Sequence, residues 1–258
     1  MYYYIFDIKK CRKRSQVEDI KSYLGGLGIS GEFTYPTAAQ SPEELVDLGL
    51  SKKYTTIVAI GGDEIVNAAA AKLVGRKEAL GVIPLETSSE LSYLIGSQSW
   101  REAADALRYR KISEFRLGQT ASGQAFLTHI SLDVFAPMDI TIEFRDFLIQ
   151  TKAKSLVIAN FYPDLHKIGD DFLDIMIESA APEGGNLIKK ISRLFGAKNE
   201  LEEKSFSLIR ARSLRIFTKT PIALLADGKK IAKTPQLIES TDEKIRLITA
   251  KKSPLATD

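Results

Sequence analysis

Residues 54–73, YTTIVAIGGDEIVNAAAAKL, restrict the fold of this chain more than any other stretch. Thr55, Thr56, Ile57, Val58, Ala59 and Ile60 form a β-favouring run that meets Gly61-Gly62-Asp63 directly. An alanine-rich, helix-favouring segment follows without a linker. A buried strand that turns sharply on two glycines into a helix leaves N–H groups bare at the helix start. Such a turn is a natural seat for phosphate. Asp63 adds a carboxylate able to hold a metal or take a proton. Glu64 then sets a further negative charge beside the anion that the turn would receive.

The surrounding pattern alternates strand and helix. Residues 2–6 read as an apolar strand. Residues 15–24 carry Val17, Ile20 and Leu24 at helical spacing, with Ser15 as the expected cap. Residues 32–35 read as a short strand. Ser41-Pro42-Glu43-Glu44 starts a helix with proline at its first position. Residues 63–73 form the helix after the glycine turn, 80–85 a further strand, and 97–109 a helix with Trp100, Ala104 and Leu107 on one face. Strands separated by helices imply a parallel, doubly wound sheet. Near residues 111–114 the pattern shifts to shorter, strand-like segments at 125–132, 140–144, 155–159, 172–178, 213–218, 222–225 and 244–249. Ser122-Gly123 and Asp227-Gly228 read as hairpin breaks, and residues 185–196 as one helical interruption. The expected architecture is an α/β domain over residues 1–114, followed by a mainly β, sandwich-like domain over 115–258.

Charge and cysteine content narrow the function classes. A net charge of +3 is too small to argue for nucleic acid, and a single cysteine, Cys11, excludes an internal disulfide framework. No apolar run approaches the roughly 20 residues that span a bilayer. The N-terminus has its apolar residues before its basic ones, the reverse of a secretory signal. These features lead to the expectation of a cytoplasmic protein.

Several groups carry candidate chemistry. Asn67 lies four residues after Asp63 and so shares its helix face; its bland reading is a solvated helix residue. Lys9, Lys10, Arg12, Lys13 and Arg14 follow the first strand, at the ligand edge of such a sheet. They can neutralise a polyphosphate or meet an anionic membrane surface, or simply be a solvated run. Thr87, Ser88 and Ser89 follow the strand at 80–85 and supply hydroxyls for phosphate or, more commonly, for helix capping. Glu86 and Glu90 make that loop acidic, which calls for a bridging cation if a triphosphate binds there. His129 and His166 have no metal-ligand spacing and read as structural.

In this order, the pieces resemble the diacylglycerol kinase catalytic-domain family, which includes bacterial lipid kinases and sphingosine kinases and is distantly related to NAD kinases. The family's Gly-Gly-Asp-Gly-Thr-x-Asn is similar to Gly61-Gly62-Asp63-Glu64-Ile65-Val66-Asn67. Its Pro-x-Gly-Thr-x-Asn-Asp resembles Pro84-Leu85-Glu86-Thr87-Ser88-Ser89-Glu90. Leu117-Gly118, Phe126-Leu127-Thr128 and Asp133 resemble the start of the second domain. Later family motifs resemble Val157-Ile158-Ala159-Asn160, Asp171-Phe172-Leu173-Asp174 and Asp227-Gly228-Lys229, with Pro235 following.

The resemblance implies an ATP-binding α/β domain, a β-rich second domain and a lipid hydroxyl held between them. Mg²⁺ would bridge the phosphates and a carboxylate would take the hydroxyl proton. Carried over residue by residue, it makes Asp63 and Asp227 the catalytic candidates and Asp63 the metal ligand. The cofactor-binding candidates are Gly61, Gly62, Asn67, Thr87, Ser88, Ser89 and, from the basic loop, Arg12. The implied partners are a lipid or other hydroxyl substrate, with peripheral contact to an anionic membrane and self-association left open, and no nucleic acid. The departures are specific. Glu64, Glu86 and Ser88 replace glycines, Ile65 replaces a threonine, Ser89 an asparagine, Asp7-Ile8 an Asn-Pro pair, and Lys229 the family's carboxylate base. Three expectations follow: an active divergent lipid kinase, a non-catalytic relative that binds nucleotide, lipid or a protein, and a purely structural module.

Overall fold

A computed structural model describes residues 1–162, 171–180, 206–226 and 229–255. The strands are β1 Tyr2–Phe6, β2 Gly31–Thr34, β3 Thr56–Gly61, β4 Ala79–Pro84, β5 Ile112–Phe115, β6 Gly118–Thr120, β7 Ala125–Phe126, β8 His129–Leu132 and β9 Met138–Glu143. They continue as β10 Leu148–Ala159, β11 Leu173–Ser179, β12 Phe206–Ala211, β13 Ser213–Thr218, β14 Ala223–Ala226, β15 Lys229–Lys233, β16 Gln236–Ser240 and β17 Ile245–Ile248. The helices are α1 Ser15–Gly26, α2 Pro42–Ser51, α3 Asp63–Leu73, α4 Ser89–Ile95 and α5 Trp100–Tyr109.

The first sheet has six strands in the order β2-β1-β3-β4-β17-β5. Its pairs are parallel except β17 with β5. Strands buried on both faces read as continuous apolar runs, and β1 shows why. Tyr3 and Ile5 point into a core with α2 and α3, while Tyr4 and Phe6 point into a second core with α1 and α5. The doubly wound arrangement expected from the strand–helix alternation is therefore present. Every described pairing of the second, 11-stranded sheet is antiparallel. It surrounds its own apolar core of residues such as Ile142, Ile158, Ile175 and Ile216.

Local signals placed most element ends well. Ser41 and Glu44 form a reciprocal capping box on α2, with Pro42 at its first turn. The helix at 63–73 has the expected bounds. Two local expectations need correction. Ser15 is not a cap: α1 begins at Ser15 itself, its N-cap is Arg14, and no side chain caps it. The helix expected over 97–109 begins only at Trp100, where Ser99 accepts from the Glu102 N–H. The segment before it forms a separate short helix, α4, closed by Gly96 at φ +73°. Gly96 reverses the chain in a left-handed conformation that suits glycine, between α4 and the segment that leads into α5. The strand at 244–249 is β17, and it returns to the first sheet between β4 and β5. The expected helix at 185–196, the hairpin break at Asp227-Gly228 and His166 lie outside the described residues.

The two sheets join tightly. Arg116 donates from Nη1 to the Thr241 carbonyl at 2.8 Å and to the Asp242 carbonyl, and from Nε to Asp171. Buried Asn160 donates to both the Arg116 and Leu127 carbonyls at 2.9 Å. Phe115, Leu117, Leu127 and Phe161 pack into the same core as α3. No described helix is long and apolar enough to cross a membrane.

Candidate active site

The turn after β3 lies where the two sheets meet. Gly61 is required by packing: a Cβ there would sit 2.8 Å from Ile65 Cγ2 and 3.0 Å from Asp7 Cβ. Gly62 is different. Its φ is −85°, and a Cβ would have ordinary room, 3.4 Å from Lys10 Cε. The fold does not demand glycine there, so a bare backbone at that point suits a ligand's close approach.

Asp63 is buried at the head of α3, and both its oxygens are engaged by one residue. Ser88 donates its N–H to Oδ1 at 2.9 Å and its hydroxyl to Oδ2. The same Ser88 hydroxyl accepts from the Leu91 N–H at 3.2 Å and caps α4. One serine thus clamps the glycine turn to the next loop and starts a helix. Thr87 shares a hydrogen bond with Ser92 at 3.0 Å, and Ser89 donates to Glu90 at 3.0 Å. Glu86 holds φ +55°, the left-handed region that costs a residue with a Cβ roughly 1–2 kcal/mol. It occupies the place of a glycine in the resembled loop, in a conformation that glycine adopts without that cost.

Asn67 faces the second sheet. Its Oδ1 accepts from the Leu127 N–H at 3.0 Å, across 60 residues of chain. Its role in this geometry is a tie between α3 and the chain that links β7 to β8, not a solvated surface amide. The two Asp residues of the stretch at 171–174 are engaged as well, Asp171 by Arg116 and buried Asp174 by Arg210 at 2.8 Å.

The charges of the unusual positions meet one another. Lys229 Nζ is ion-paired with Glu64 Oε1 although 165 residues separate them. Lys10 pairs with Glu86 at 3.5 Å. Sequence reasoning singled out Glu64, Glu86 and Lys229 as separate departures, and the tertiary fold couples each to a counter-charge. Around the turn lies a cavity of about 370 Å³ whose wall carries four carboxylates, Asp7, Asp63, Glu64 and Glu86, against Lys10 and Lys229. A second cleft of about 540 Å³ adjoins it and shares Lys10, Glu86 and Thr87. Arg12 lines this second cleft, not the turn. His129 on β8 presents a buried Nδ1 with no hydrogen-bond partner among the described residues. Burial lowers its pKa below the ordinary 6.5, against the opposing pull of Glu90 and Asp63. Asp227 lies outside the described residues.

Sequence reasoning did not anticipate the roles of Asn160, Arg116 and Ser92. Their partners are distant carbonyls or a neighbouring loop hydroxyl, so no spacing signals them. The sequence did offer the Ala-Asn pair at 159–160, although only as part of the family resemblance.

A mostly parallel α/β sheet with a glycine turn meets an antiparallel β sheet at the cavity around Asp63. Comparison with known proteins agrees with the resemblance read from the sequence: residues 9–120 match the family model described as the diacylglycerol kinase catalytic domain. Among solved structures, the chain is similar to a candidate diacylglycerol kinase from Bacillus anthracis str. Sterne, with TM-score 0.77 and 18% identity over 96% of each chain. A second structure described in the same way gives TM-score 0.77 and 18% identity over 98% of each chain. A third, called a diacylglycerol kinase from the same organism, gives 0.75 and 18% over 98% of this chain and 97% of that one. At that identity these likenesses show the fold. None of the curated proteins matches this chain.

Proposed function

We propose that this chain is a lipid-kinase-like phosphotransferase that moves the terminal phosphoryl group of ATP to a hydroxyl of a lipid such as diacylglycerol. The observation that carries this reading is the pairing of Gly62, bare without a packing reason, with a buried carboxylate on the next residue. Both lie within the stretch that matches the kinase family. In this reading the first sheet with its helices holds the nucleotide, β17 returning to it from the second half of the chain, and the second sheet walls the acceptor side. The acceptor oxygen bonds to the γ-phosphorus while the bond to the β,γ-bridging oxygen breaks. ADP leaves, and the hydroxyl proton passes to a carboxylate. Asp63 is the first candidate for that carboxylate and Asp227 the second.

The donor set fits a magnesium ion carried by the nucleotide. Among the described residues no group of three or more His, Cys, Asp or Glu could cage a metal. Mg²⁺ at such sites takes one or two protein carboxylates, with phosphates and water completing its shell. Asp63 retains a free acceptor direction on each oxygen after Ser88 is counted. When bound, the ion neutralises charge developing on the phosphates. Gly61 and Gly62 let phosphate approach, Thr87, Ser88 and Ser89 offer hydroxyls, Asn67 positions α3, and Arg12 adds positive charge. The exposed Lys9, Arg12, Lys13 and Arg14 attract the same edge of the sheet to anionic surfaces where lipid acceptors reside.

A second reading has its own observation. The Glu64–Lys229 pair lies at the cavity beside Asp63, and Lys229 replaces the family's base. It favours a non-catalytic relative that keeps the fold and binds nucleotide, lipid or a protein. Labelled ATP, Mg²⁺ and diacylglycerol in mixed micelles separate the two. The kinase reading expects label in the lipid, and about 10²–10³-fold less with Asp63→Asn, the scale of one lost charge contact at a reacting group. A blank with wild-type protein, beside an active control kinase, refutes it.

A further inference from the structure

The cavity at the glycine turn is too acidic to hold a whole nucleotide triphosphate. Its wall carries four carboxylates against two lysines, and both lysines are already paired. The adjoining 540 Å³ cleft has the opposite balance. Lys10, Arg12, Lys13 and Arg101 face only Asp19 and Glu86. Arg12, Lys13 and Arg101 have no ion-pair partner among the described residues. Its volume falls within the usual few hundred to about 1,000 Å³ of small-molecule sites.

This cleft also carries an aromatic platform. Trp100, the single tryptophan of the chain, lines it, and the Arg101 guanidinium lies 4.2 Å from the indole centroid. The ring of Tyr23 meets Trp100 edge-on at 5.5 Å and locks it in place. A guanidinium layered on an aromatic ring is a surface on which nucleobases stack. Beside it, α1 begins without a side-chain cap, and its start lies among the basic residues.

We propose that the base and inner phosphates of a nucleotide occupy this cleft, with the base on the Trp100–Arg101 platform and the phosphates on Arg12 and Lys13. This inference rests on the kinase reading only for the destination of the terminal phosphate. That group passes the Lys10–Glu86 pair, which borders both cavities, and reaches the turn at Asp63. Trp100 and Arg101 are then the residues that seat the base. Inorganic triphosphate uses only the basic loop.

The sole tryptophan makes the test direct. Titration of the full chain with Mg-ATP is expected to change Trp100 emission in a saturable way, at the midpoint that calorimetry gives for binding. Inorganic triphosphate is expected to bind without that change. The exposed pair Arg12→Ala and Lys13→Ala should weaken both ligands about tenfold or more, the scale of a lost charge-assisted hydrogen bond. Arg101→Ala should weaken ATP but leave triphosphate unchanged. ATP binding with unaltered tryptophan emission overturns the proposal, as does binding indifferent to Arg12 and Lys13, or no binding at millimolar ATP. The two readings fail separately. ATP bound at Trp100 without transfer to lipid ends the kinase reading alone, and transfer without a Trp100 response ends this one alone.

Discussion

Replacing Asn67 separates a structural tie from a ligand contact. Its Oδ1 is the acceptor for the Leu127 N–H, and Leu127 is buried. Asn67→Ala leaves that amide without a partner, which costs about 1–3 kcal/mol. Alanine is the better helix former, and inside α3 it returns about 0.5 kcal/mol. The net loss is about 0.5–2.5 kcal/mol. For a chain of this length it lowers the melting temperature by about 1–10 °C, at roughly 2–4 °C per kcal/mol. Asn67→Asp keeps the acceptor oxygen. Its cost is the like-charge spacing to Asp63 four residues earlier, about 0.2–0.5 kcal/mol. Urea and thermal unfolding of the three proteins give the ranking, and hydrogen exchange at the Leu127 amide locates the effect. The alanine variant should lose protection at that amide, and the aspartate variant should keep it. An alanine variant as stable as wild type, or an aspartate variant that falls as far, refutes the role assigned to this hydrogen bond.

Two further outcomes follow from the site. The Glu64–Lys229 pair is more than half exposed on both sides, so a double-mutant cycle with Glu64→Gln and Lys229→Gln should give about 0.2–1 kcal/mol of coupling that shrinks in high salt. A coupling of zero at low salt removes the cross-sheet clasp. His129 is held neutral by burial, so its pKa is lowered in the folded protein and ordinary when unfolded. The unfolded chain therefore binds the extra proton first, and stability falls as pH drops below about 6.5 toward the folded value. His129→Gln should flatten that slope in urea melts between pH 7.5 and 5, and an unchanged slope excludes His129 as its source.

The legible part of this protein is the part written in neighbouring residues. Strand β3, its two-glycine turn and helix α3 follow from one continuous segment, because β-branched residues, glycines and alanines each prefer their local backbone. The capping box of Ser41 and Glu44 reads the same way across three positions. Helix α4 did not, because its seven residues make fewer than two full turns, too few for a helical period to show. Glu86 illustrates a subtler gap. A glutamate gives no sign of a left-handed backbone, yet it holds a conformation that favours glycine.

The candidate site divides along the same line. Gly61, Gly62, Asp63, Thr87 and Ser88 could be named from local motif and resemblance, since each stands at the end of a predicted strand. Only the tertiary structure decided what they do to one another. Ser88 takes both oxygens of Asp63, Asn67 reaches Leu127, and Lys229 reaches Glu64. It also decided that β17 closes the first sheet from the far end of the chain. Backbone preference acts over a few residues and is therefore carried by the sequence alone. Charge pairing, burial and sheet order act through space, and they join residues between which the sequence has no shared signal.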